Sequence, residues 1–255
     1  MLRTAPFLIL CFASLGFSQT TPVLEIISAA SVSSNVSPES LASAFGAHLA
    51  DDTAAAQSVP WPTSLGGVTI QVKDSAGVSR AAGILFVSPT QINFQVPTGT
   101  AAGTASIQVN TQGTTLHGSM PITRVAPALF SIDTNGDAAA TAVRIPIATQ
   151  FQSPLPVFDC SGATCKLVPL PLGIDTPIYV SLYATGVHGY AQNTPIRVDI
   201  GTDTVNALYA GPQGQFPGLD QINIPLPLSQ RGKGTIEVTV TVDGMTSNPV
   251  KIAVE

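Results

Sequence analysis

Gln91-Ile92-Asn93-Phe94-Gln95-Val96-Pro97 returns 130 residues later as Gln221-Ile222-Asn223-Ile224-Pro225-Leu226-Pro227. In the first copy Ile92, Phe94 and Val96 alternate with Gln91, Asn93 and Gln95, a period of two that places three apolar side chains on one face of a strand and three amides on the other. The second copy keeps the apolar face as Ile222, Ile224 and Leu226. It also keeps the first two amides, Gln221 and Asn223, while Pro225 takes the place of the third. A unique active site would seldom be duplicated, so the segment is expected to be scaffold. Its apolar face is expected in a core, with its amides bonding a neighbouring loop in each copy.

Val68-Thr69-Ile70-Gln71-Val72 likewise matches Ile196-Arg197-Val198-Asp199-Ile200 at an offset of 128 residues, and Leu85 to Pro89 resembles Ala207 to Pro212. Each copy then closes with a paired-strand ending, Ala105 to Val125 and Thr235 to Val254. Further β-branched runs occur at Ile84 to Val87, Ile178 to Tyr183, Ile236 to Val242 and Val250 to Val254. Turn signals separate them, among them Gln112-Gly113 and the hairpin dipeptide Asp243-Gly244. Ser37-Pro38-Glu39-Ser40 imitates a helix start but reads as a loop, because Leu41 to Phe45 recurs in a strand-like context. Two copies of one long unit indicate tandem domains rather than a solenoid. The fold class expected is all-β, with modules over residues 23–125 and 135–255 and a linker near Val125 to Asp137.

Residues 1–18 read as a signal peptide: Arg3 is a short positive start, Ala5 to Phe17 an apolar core, and Gly16 and Ser18 the small residues before a cleavage near Ser18. The mature chain would begin near Gln19, and no other segment is apolar enough to span a bilayer. Loss of Arg3 takes the net charge from -5 to -6. That balance lacks the clustered cations that phosphate neutralisation requires, so nucleic acid is excluded as a partner. Charged residues are only 10% of the chain, against 22 Gly and 21 Pro, which suits short strands and many turns. Cys11 would leave with the leader. Cys160 and Cys165 remain, and in an oxidising compartment a disulfide across the Ser161-Gly162 turn is the simplest reading.

Candidate chemistry is sparse. No Gly-x-Ser-x-Gly elbow occurs, and His48, His117 and His188 each read as loop histidines near strand ends. His48 and His188 fall at loosely corresponding places of the repeats, but a zinc site needs three or four converging ligands. Asp133-Thr134-Asn135-Gly136-Asp137 has oxygens at alternate positions, as calcium loops do, yet Ala138 stands at the sixth place and Arg144 at the twelfth. It is expected to be a solvated inter-module turn. Trp61 and Tyr190 could form a sugar-stacking surface, although an aromatic anchoring a strand edge under Pro60 and Pro62 is the plainer expectation. No catalytic, cofactor or metal residues are expected.

Trp61-Pro62-Thr63-Ser64-Leu65-Gly66-Gly67-Val68, followed by Val87-Ser88-Pro89-Thr90 and the Gln-Ile-Asn segment, resembles a domain family found mostly at the C-termini of secreted proteins from soil acidobacteria. The second half carries a longer form in Tyr183-Ala184-Thr185-Gly186-Val187, Tyr209-Ala210-Gly211-Pro212, Phe216-Pro217-Gly218-Leu219-Asp220-Gln221-Ile222-Asn223 and Asp243-Gly244-Met245-Thr246-Ser247-Asn248-Pro249-Val250. The resemblance implies two tandem immunoglobulin-like β-sandwiches similar to TIG modules, and carries over no activity. The function expected is that of a secreted, non-catalytic binding or adhesion protein whose partner is a protein or polysaccharide at the cell surface. The alternative is a structural spacer or assembly component of the cell envelope. A carbohydrate-active enzyme or accessory is a remote third.

Overall fold

The computed structural model of the protein describes residues 24–255 apart from 163, 192 and 193, so the expected leader and its cleavage point lie outside the described residues. In the first half one sheet runs in the order Glu25–Ser28, Leu41–Phe45, Gln91–Gln95, Gly83–Val87, Ala54–Ala55. The other runs Thr115–Ile122, Gly103–Asn110, Val68–Lys73, Ser64–Leu65, with Ser79–Ala81 also against Val68–Lys73. The ladders are antiparallel. Inward residues of both sheets meet in one core, Ile26, Ala44, Ile84, Ile92 and Phe94 from the first and Val68, Ile70, Val72, Ile107 and Met120 from the second. Two sheets sharing one apolar interior are a sandwich.

The second half repeats the arrangement. Ser153–Leu155, Ala140–Arg144, Ile178–Thr185, Asp220–Pro225 and Tyr209–Pro212 form one sheet, and Asp203–Asn206, Arg197–Ile200, Gly234–Val242 and Met245–Thr246 the other, with Val250–Val254 against Gly234–Val242. Their interior draws on Ile178, Val180, Leu182, Ile222, Ile224, Val198, Ile200, Val238, Val240 and Ile252. Gln91–Gln95 lies between Leu41–Phe45 and Gly83–Val87, just as Asp220–Pro225 lies between Ile178–Thr185 and Tyr209–Pro212. The fold is thus all-β, two immunoglobulin-like sandwiches in tandem. The Asp243-Gly244 turn has φ of 47° and 82°, the double left-handed pair a two-residue hairpin loop requires.

The stretch expected to be a linker is instead packed onto the second sandwich. Val125 and Leu129 are buried in its core, Ala128–Leu129 pairs with Thr185 and Ala184, and the Asn248 side chain accepts from the Leu129 N–H and donates to its carbonyl, both at 2.9 Å. Leu and Val in a connector have apolar surface to bury, and the flank of Ile178–Thr185 supplies the place.

Candidate functional site

The two sandwiches touch through loops and strand ends. The first contributes the Ser37 to Ser40 turn, the start of the strand Leu41–Phe45 and the Val59 to Trp61 loop. The second contributes the end of Ile178–Thr185 with Gly186 to His188, and the 213–219 loop. At the centre the Leu41 N–H donates to Thr185 Oγ1 at 2.8 Å, and that hydroxyl donates to the Gly218 carbonyl at 2.7 Å. Thr185 is buried, so this chain of bonds is shielded from competing water. Gly218 has φ of +87°, and a Cβ there would come within 2.7 Å of Leu41 Cδ2. Only glycine serves both that conformation and that approach.

Trp61 lies beside this bond chain. Its ring stacks on Phe216 with centroids 6.3 Å apart and planes 11° from parallel. Its indole N–H donates to the Pro217 carbonyl at 3.0 Å. The sequence offered a sugar platform or a strand-edge anchor for Trp61; its stack and its indole bond also latch one sandwich to the other. Tyr190 is half-buried against the second core.

His188 is the residue whose role the sequence did not show. Its Nδ1 lies 2.5 Å from Asp220 Oδ1, and its Nε2 lies 3.6 Å from Glu39 Oε2 of the first sandwich. Asp220 is fully buried and its Oδ2 also accepts the Val187 N–H at 2.7 Å. The hydrogen bond to Asp220 is the main cause that raises the His188 pKa; burial opposes it, and the charges of Asp220 and Glu39 add to it. Glu39 is held by Thr98, whose hydroxyl donates to Oε1 at 2.9 Å. Its backbone has φ of +65°, a left-handed conformation that a non-glycine residue adopts at a cost of order 1 kcal/mol. An Asp-His pair is also the orienting half of a nucleophilic triad. Here, however, the far nitrogen faces a carboxylate and not a hydroxyl.

Around this joint a groove of about 480 Å³ opens between the sandwiches, lined by Glu39, Gln95 and His188 on its polar side and by Val59, Pro60 and Phe216 on its apolar side. Val59 is 51% exposed and Phe216 52%. The groove therefore offers one carboxylate, one imidazole, the amides of Gln95 and Gln215 and an aromatic face together, the mixture of apolar wall and few polar groups usual for ligand clefts.

The remaining candidates sit elsewhere. His48 is exposed in a loop and His117 exposed on the strand Thr115–Ile122. Asp133 turns on itself: Oδ1 accepts the N–H of Asn135 and Asp137 at 3.0 and 3.1 Å, and Oδ2 accepts the Asn135 side chain at 2.8 Å. Among the described residues no group of three or more His, Cys, Asp or Glu side chains converges as metal ligands would. Cys160 and Cys165 are bonded and pin the hairpin Phe158–Asp159 with Lys166–Leu167. Gln91 and Asn93 bond each other, Nε2 to Oδ1 at 2.8 Å, and Ser43 donates to the same Oδ1 at 2.9 Å. Gln221, Asn223 and Ser181 repeat the pattern at 2.7 and 2.8 Å. The shared amides therefore bond a serine of the adjacent strand and one another, not a loop as the sequence suggested, while Gln95 of the first copy does reach a loop, its Nε2 donating to the Glu39 carbonyl at 3.2 Å.

No protein-family model and no curated protein matches the chain. Among solved structures, the chain is similar to the plexin A4 full extracellular region at 11% identity, over 98% of this chain and 20% of that one, with a TM-score of 0.28. So loose an overlay carries no weight. The class rests on the sheets themselves, an all-β protein of two immunoglobulin-like sandwiches. Among the described residues no helix is long and apolar enough to cross a membrane.

Proposed function

We propose that the protein is an exported, non-catalytic binding protein that takes its ligand, a protein segment or a polysaccharide of the cell surface, in the groove between its two sandwiches. The observation that carries this reading is the groove itself, where Phe216 and Val59 stay exposed beside Glu39, Gln95 and His188. Large apolar side chains left in water next to convergent polar groups mark binding surfaces more often than chance exposure does. The Cys160–Cys165 disulfide supports an oxidising compartment. The test is a glycan array together with capture from a cell-envelope extract, run on the wild type and on Phe216→Ser. A saturable ligand lost in Phe216→Ser supports the groove, whereas a ligand retained in full moves the site elsewhere.

A second reading, a stiff spacer within the envelope, is favoured by the buried Leu41–Thr185–Gly218 bonds that hold the sandwiches in one orientation. It predicts self-association or no ligand in the same experiment.

A further inference from the structure

His188 meets the two sandwiches through different nitrogens. Nδ1 serves Asp220, a residue of the same sandwich, while Nε2 faces Glu39 of the other. A neutral imidazole keeps one N–H, and the buried Asp220 carboxylate 2.5 Å away holds it on Nδ1. The intramodular bond therefore survives in either charge state. Nε2 then carries a lone pair turned toward a carboxylate, and the contact to Glu39 becomes repulsive. When the ring is protonated both nitrogens donate, and one cation lies between two carboxylates.

The other charged groups at the joint do not replace it. Arg124 lines the adjoining groove with Glu39 and His188, but its guanidinium is engaged at 2.5 Å by Asp243 Oδ2, which also accepts the Ala191 N–H. The groups facing the ring are thus Asp220 from the strand Asp220–Pro225, Glu39 from the turn before Leu41–Phe45, and Arg124, already paired.

We propose that the joint between the sandwiches is proton-gated: protonated His188 draws Glu39 and Asp220 together, and loss of that proton releases Glu39 and loosens the joint while each sandwich stays folded. The gate lies in the joint and needs no ligand in the groove. Its direction follows from linkage. The folded state raises the His188 pKa above the ordinary value of 6.5, so the stabilisation is fully present below that value and is lost as pH rises through the higher folded one.

The test uses the whole mature chain. His188 is titrated by NMR, and the amide exchange of Leu41, corrected for the intrinsic pH dependence of exchange, is followed across the same range. Strand amides inside each sheet serve as controls. The expected result is a His188 titration above 6.5, with Leu41 protection falling several-fold through it while the controls hold. His188→Gln and Glu39→Gln should each abolish that step. A His188 titration at or below 6.5 overturns the proposal, as does Leu41 protection that tracks the controls at every pH. If a variant fails to fold, the wild-type titration and exchange profile still decide.

Discussion

At the scale of single residues, Asp74 shows how a buried acid closes a turn. Its Oδ1 accepts the N–H groups of Ala76 and Val78 at 3.0 and 2.9 Å, and its Oδ2 accepts the Ala101 N–H at 3.1 Å and Arg80 Nη1 at 2.6 Å. The backbone bonds from Ala101 and Val78, with help from Arg80, lower its pKa to about 2. A depressed folded pKa contributes stability that is present above the unfolded value of 3.8 and is lost as pH falls toward 2. Thermal melting of Asp74→Asn should therefore lie below the wild type at neutral pH, and the gap should narrow between those two values. A constant gap would assign Asp74 no charged role. The sequence did not show the His188 pair, because Asp220 lies 32 residues beyond His188; at Asp74 the Ala76, Val78 and Arg80 partners are local, and the bond it did not show is the one from Ala101, 27 residues on. One signal was available. The repeat places Asp220 at the position of Thr90, so the second copy alone puts a carboxylate next to the Gln-Ile-Asn strand.

At the scale of elements, strands with β-branched alternation were legible, and Val68–Lys73, Gln91–Gln95, Gly234–Val242 and Val250–Val254 lie where their periodicity put them. Ala140–Arg144 was not. It faces the second core with Ala140 and Ala142, and alanine alternating with polar residues carries little strand preference of its own. The repeated amides make a testable unit. Removing Gln91 or Gln221 leaves Asn93 or Asn223 with the serine alone, and loss of one part-buried bond of this kind costs about 1 kcal/mol. Gln91→Ala and Gln221→Ala should each lower the denaturant midpoint of their own sandwich by that order. Ligand capture by Gln221→Ala that vanishes with an unchanged midpoint would make the ladder a recognition surface. The disulfide acts more locally still, since closing a loop of about six residues constrains the unfolded chain by about 2 kcal/mol. Mass spectrometry of protein from its native compartment, without reductant, should find Cys160–Cys165 bonded. Two free thiols there would remove the argument for an oxidising compartment.

At the scale of the whole molecule, the two copies were readable from the repeat, but the joint between them was not. The residues that make the joint, Glu39, Leu41, Trp61, Thr185, Phe216 and Gly218, come from loops and strand ends, where periodicity carries no information. The connector was misread for a related reason: Val125 and Leu129 look like any short apolar pair until the flank of Ile178–Thr185 is there to cover them. We propose that each sandwich folds on its own, because the first core draws only on residues 24–122 and the second on 125–254. The joint then adds to both. The Trp61–Phe216 stack contributes about 0.5–1.5 kcal/mol beyond its buried area, and the indole bond to Pro217 about 1 kcal/mol. A fragment of residues 19–125 should therefore unfold in one cooperative β transition at a lower temperature than the same sandwich does in the full chain. Trp61→Ala in the full chain should move that transition part of the way toward the fragment's, while leaving its breadth unchanged. A fragment that is disordered at every temperature would show that the halves share one folding unit. A fragment that melts with the full chain would leave the joint no energetic weight, and would place the stack and the Thr185 bonds as consequences of chain geometry alone.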